Sequence, residues 1–118
     1  MSEIGIYAGS YQRVRDYAGS LDRLLLDLKS GVTPNEEITE PVVILLESMQ
    51  QRADAPPSAR LLGLRWMQRG NLSPARILGI TSELKARSVT PQTIVELENL
   101  AILLDQERAD MRQRLRGV

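Results

Sequence analysis

The chain of 118 residues contains no cysteine, no histidine and no phenylalanine. Without cysteine there are no disulfides, thiol nucleophiles or thiolate metal ligands. Without histidine there is no imidazole acid–base chemistry and no zinc site of the usual kind. Aromatic residues make up 3%: a single tryptophan, Trp66, with Tyr7, Tyr11 and Tyr17. So few rings give no row of stacking platforms for single-stranded nucleic acid. They also require a core built from Leu, Ile, Val and Ala. No apolar run approaches the ~18 residues of a membrane span. Met1 to Ser10 lack the basic-then-apolar pattern of a secretory signal, so the cytoplasm is the expected location.

Lysine is scarce as well. Of 15 basic residues only Lys29 and Lys85 are not arginine. A nucleophile–base pair would have to combine Ser, Thr or Tyr with Lys, Asp or Glu, and both lysines stand near expected helix ends. No glycine loop for phosphate and no metal-ligand spacing occurs. Glu36, Glu37 and Glu40 form a carboxylate cluster, which helix capping and the preference for acids in a first turn explain. An enzyme is not expected, nor a cofactor or metal.

What the chain does contain is helical pattern. Hydrophobic residues are 42% of a length that suits one domain with an independent core. Val32-Thr33-Pro34 returns as Val89-Thr90-Pro91. Leu21, Leu24 and Leu28 with Lys29 are echoed by Ile77, Ile80 and Leu84 with Lys85. Ile44-Leu45-Leu46 is echoed by Ile102-Leu103-Leu104, and Arg52-Ala53-Asp54 by Arg108-Ala109-Asp110. The register slips by a residue or two between copies. The echo organises the chain as an all-α bundle of five helices built from two helical hairpins, over 11–54 and 59–115, packed antiparallel in a single domain.

Residues 1–10 read as an arm, because Gly5 and Gly9 break helical pattern. The first helix spans Tyr11 to Lys29, with Val14, Tyr17, Leu21, Leu24, Leu25 and Leu28 on one face and Gly31 as a left-handed cap. Thr33-Pro34-Asn35-Glu36 reads as a capping box with proline at the first helical position. Pro41 then predicts a short turn over 34–39 and a second helix from Pro41 to Ala53, with Val42, Leu45, Leu46 and Met49 inside. Asp54-Ala55-Pro56-Pro57-Ser58 divides the halves. A third helix spans Ala59 to Arg69, closed by Gly70. Ser73-Pro74 starts a fourth that runs to Arg87, with Ile77, Leu78, Ile80 and Leu84 inside. Thr90-Pro91 starts a fifth over 91–115. Its seam is Ile94, Leu97, Ala101, Leu104, Arg108, Met111 and Leu115, widened by Leu100 and Leu103. Beyond Asp105 the stripe thins among arginines, which predicts a basic tail overhanging the bundle.

Charge is unevenly spread although the total is zero. Residues 1–59 carry five basic and nine acidic side chains, and residues 60–118 carry ten basic and six acidic. Such a division steers docking or holds the two halves together. The expected function is a non-enzymatic protein–protein interaction module: an adaptor, inhibitor or assembly chaperone in a bacterial or phage setting. Its partner is another protein or a second copy of itself. The partner-binding candidates are Trp66, whose first reading is buried core but which falls toward the flank if Leu61, Leu62 and Leu64 face inward, and Arg108, Met111, Arg112, Leu115 and Arg116 on the basic tail. The alternative is a DNA-binding regulator with a degenerate helix-turn-helix around 73–87. There Ala75 precedes Gly79 by four residues, and Arg76, Lys85 and Arg87 lie close by. A pI near 6.3 weighs against nucleic acid as partner.

Overall fold

The computed structural model describes residues 3–50 and 57–116, apart from the Leu115 side chain and those before Tyr11 and at 57–58. These residues form five helices: α1 (Glu3–Lys29), α2 (Glu36–Ser48), α3 (Pro57–Gly70), α4 (Pro74–Ala86) and α5 (Pro91–Arg116). Among the described residues there is no strand, so the fold is an all-α bundle. It measures 44 × 28 × 23 Å. No described helix is long and apolar enough to cross a membrane.

The two longest helices make the frame. α1 and α5 run antiparallel, with Lys29 paired to Glu98 at one end and Arg112 reaching Tyr11 towards the other. α2 folds back on α1 and also packs on α4, while α3 packs on α5 and α2. Leucine periodicity fixes which faces meet. Val14, Ala18, Leu21, Leu24 and Leu25 of α1 share one core with Leu97, Leu100, Leu103 and Leu104 of α5 and Val42, Leu45 and Leu46 of α2. Each fully buried aliphatic side chain stabilises the fold by about 1.5–3 kcal/mol.

Three helices end in the same left-handed turn, at Gly31, Asn71 and Arg87, with φ of 75°, 53° and 55°. In each, the next amide returns to the carbonyl five residues back: Val32 to Asp27, Leu72 to Met67 and Ser88 to Glu83. Gly31 caps α1 as expected. Gly70 does not close α3; it is the last helical residue, and Asn71 carries the turn. Ser73 and Thr90 cap α4 and α5 as their Ser/Thr-Pro sequences predict, accepting from the amides of Arg76 and Thr93.

Several expectations are corrected. α1 begins at Glu3 and passes through Gly5 and Gly9. Glycine inside a helix costs about 1 kcal/mol, which a helix supported along α5 sustains. The cap of α2 is Asn35, not Thr33: Asn35 Oδ1 accepts from the Ile38 amide at 3.2 Å. Asparagine caps at least as well as threonine, and this placement puts Glu36 and Glu37 against the positive end of the helix. Pro41 lies inside α2 rather than at its start. It forfeits one backbone bond and projects to solvent, so the helix continues. α2 stops at Ser48, short of the expected Ala53. Ala53 itself and the break at Asp54–Pro56 lie outside the described residues. Leu78, expected inside, is exposed. The tail beyond Asp105 does not overhang, because α1 extends beside it and Met111 is buried.

Candidate interaction surfaces

The basic end of α5 is a seam with α1 before it is a free surface. Arg112 Nη2 donates to the Tyr11 hydroxyl at 3.0 Å, and its guanidinium stands 6.0 Å from the ring centroid. The hydrogen bond from Arg112, aided by Arg108, holds the Tyr11 phenol below its ordinary value. Arg108 is half-buried, 3.8 Å from Asp105. Met111 is buried, Arg116 is exposed and the Leu115 side chain lies outside the described set. Arg112 and Arg116 are thus the members of this group that face solvent.

Trp66 is core, not flank. It is 1% exposed, and its indole N–H donates to the Glu96 carbonyl oxygen at 3.2 Å, tying α3 to α5. The inward Leu61 and Leu64 that would have turned Trp66 to the flank are not found. Ala59, Leu62 and Trp66 form the buried stripe at three- and four-residue spacing, while Leu61 and Leu64 face outward. Gly63 belongs to this packing: a Cβ there would lie 2.5 Å from the Met49 carbonyl oxygen. α3 and α2 therefore approach at closest range through a residue with no side chain.

The segment 73–87 contains no helix-turn-helix. α4 passes through Gly79 without a turn, and a Cβ at Gly79 would meet nothing nearer than 3.7 Å. Arg76 is not offered to phosphate either. Its Nε donates to both Glu96 carboxylate oxygens at 2.9 and 3.1 Å, its Nη1 to Glu83 at 3.2 Å and its Nη2 to Thr93 Oγ at 2.7 Å. Thr93 in turn donates to Glu83 at 2.9 Å, and the Thr90 amide donates to Glu83 at 2.9 Å. Burial pushes the Glu83 carboxyl up, but the bonds from Thr90, Thr93 and Arg76 together bring it below its ordinary value. Every arm of the network is satisfied, so it locks α4 to the start of α5.

Sequence reasoning missed the exposed aliphatic residues. Leu26 (68% exposed) and Ile102 (56%) flank a groove between α1 and α5, rimmed by Asp22, Lys29, Glu98 and Asp105. Burial and the nearby Asp105 raise the Asp22 carboxyl, in that order. Ile102 also borders a second groove with Arg69, Gly70 and Asn99. α2 and α4 form another groove, of about 480 Å³. Glu36, Glu40, Ile44 and Glu47 stand on one wall, Lys85 and Arg87 on the other. A separate groove is lined by Met49, Gln50, Met67, Pro74, Ile77 and Leu78. The signal was present in the sequence. Leu24-Leu25-Leu26, Ile44-Leu45-Leu46 and Ile102-Leu103-Leu104 are triplets, and at 100° per residue three consecutive side chains cannot all enter one core. Each triplet leaves one member outside.

Among the described residues no three acidic side chains converge as a metal site requires; Glu36, Glu37 and Glu40 do not. No protein-family model, curated protein or solved structure matches the chain.

Proposed function

We propose that the protein is a non-enzymatic protein–protein interaction module, of adaptor, inhibitor or assembly-chaperone type, and that it engages its partner protein through the α1–α5 face. The observation that carries this reading is the pairing of Leu26 and Ile102. Two large, exposed aliphatic side chains from helices distant in sequence line one groove, together with charged residues. An apolar centre with a polar rim is the usual anatomy of a protein interface. Burying Leu26 and Ile102 would contribute about 1.5–3 kcal/mol each. The Lys29–Glu98 and Asp22–Asp105 groups would set orientation and suppress wrong partners.

The test is capture from native lysate on the immobilised protein, wild type beside a Leu26→Asp/Ile102→Asp double variant. Both side chains are exposed, so circular dichroism should show an unchanged fold. The expected result is a partner retained by the wild type and lost by the variant. Identical retained proteins on both would overturn the assignment of this face.

A further inference from the structure

We propose that the α2–α4 face binds a second copy of this chain, across a two-fold axis running along the groove between the two helices. This surface is separate from the Leu26–Ile102 face. The argument rests on charge and symmetry. α2 and α4 pack together and run antiparallel: Glu36 to Glu47 share a groove with Lys85 and Arg87, whereas Met49 and Gln50 share one with Pro74, Ile77 and Leu78. The α2 wall presents Glu36, Glu40 and, further along, Glu47, and the α4 wall presents Lys85 and Arg87. None of these five side chains makes an ion pair or hydrogen bond with a described residue. Elsewhere in the fold opposite charges at comparable positions are joined, as in Lys29–Glu98 and Arg114–Asp110.

An acidic wall beside a basic wall is complementary to itself. A two-fold rotation about an axis parallel to the helices lays α2 of one copy over α4 of the other at the same height. Glu36 and Glu40 then meet Lys85 and Arg87 of the second copy, and symmetry makes the contact twice. A rotation about an axis across the helices would set α2 on α2 and glutamate on glutamate, so the charges select between the two arrangements. The apolar contribution comes from Ile44 and Leu78, 54% and 53% exposed. In the selected arrangement Ile44 lies over the second copy's α4 between its Lys85 and Leu78. The face is isologous, which closes the assembly at a dimer.

The experiment is sedimentation velocity on the full chain over a range of concentrations, at low and at high salt. The expected result is a concentration-dependent dimer that weakens as salt screens the charges. Glu40→Arg alone and Lys85→Glu alone should each weaken it on the order of tenfold or more, because each creates two like-charge contacts. The two substitutions combined restore the opposite-charge pairing with its signs exchanged and should return the dimer. The Leu26→Asp/Ile102→Asp variant should dimerise like the wild type. A wild type that stays monomeric at low salt overturns the proposal. So does a reversal without effect, a combined variant that does not recover, or a dimer lost on changing Leu26 and Ile102.

Discussion

The α1–α5 seam and the α4–α5 joint hold the same helix in opposite ways. Along α1, α5 is held by area: Val14, Leu21, Leu24 and Leu25 are sealed into one core with Leu97, Leu100, Leu103 and Leu104. The ion pair at its edge, Lys29–Glu98, is exposed on both sides and contributes at most about 1 kcal/mol. Against α4, by contrast, α5 has little backbone approach, and the connection is made by one arginine gripping two carboxylates. Apolar area is large but non-directional; charged hydrogen bonds add little net stability but fix an angle. The long seam holds the bundle together, and the short joint sets how α4 is presented.

Leu104→Ala should have the largest effect, a loss of about 2–5 kcal/mol in denaturant unfolding, since the side chain is wholly buried where α5 faces the core. Arg76→Met should cost about 2–4 kcal/mol, because the carboxyl of Glu96, only 6% exposed, loses its hydrogen-bonding partner. Pairing it with Glu96→Gln should recover part of that loss. A cost for Arg76→Met well above that of Leu104→Ala would reverse the ranking of seam and joint. Gly79→Ala should stabilise by about 1 kcal/mol, as helix propensity predicts for a site with open space, whereas Gly63→Ala should destabilise through its clash with the Met49 carbonyl. A loss at Gly79 would mean α4 needs freedom there.

The smallest effect is on pH dependence. The Glu83 carboxyl is held below its ordinary value of 4.5, so its contribution is complete above that value and lost as pH falls through the lower folded one. Glu83→Gln should flatten that part of the acid limb in thermal melts at stepped pH. An unchanged limb would remove Glu83 from the account of the joint.

Helix number, order and most of the inward stripes were legible from sequence, because leucine spacing and Ser/Thr-Pro starts act locally. The misses came where a local rule met a tertiary contact. Pro41 reads as a boundary, yet one lost backbone bond on an exposed face does not stop a helix buried on Val42, Leu45 and Leu46. Trp66 reads as flank or core depending on how α3 is rotated. That rotation was decided by Gly63 against Met49, a contact invisible along the chain. The candidate surface on the α5 tail was legible as charge, but not as a seam, because Tyr11 is a hundred residues from Arg112. Leu26, Ile44 and Ile102 were hidden inside triplets that looked uniformly apolar.

The pairing of α1 with α5 also governs the order in which the chain matures on the ribosome. Val14, Leu21 and Leu24 are synthesised long before Leu97, Leu100 and Leu104 exist to cover them. At ~5–20 residues per second the delay between Lys29 and Glu98 is roughly 3–14 seconds. Meanwhile α2 alone is available to shield α1, and the half-covered hairpin is sticky. The penalty for closing so large a loop grows only logarithmically with its length, so completion is slow to begin but favourable once α5 emerges. A nascent chain stalled before Leu97 would therefore carry an open aliphatic stripe that only the arrival of α5 closes.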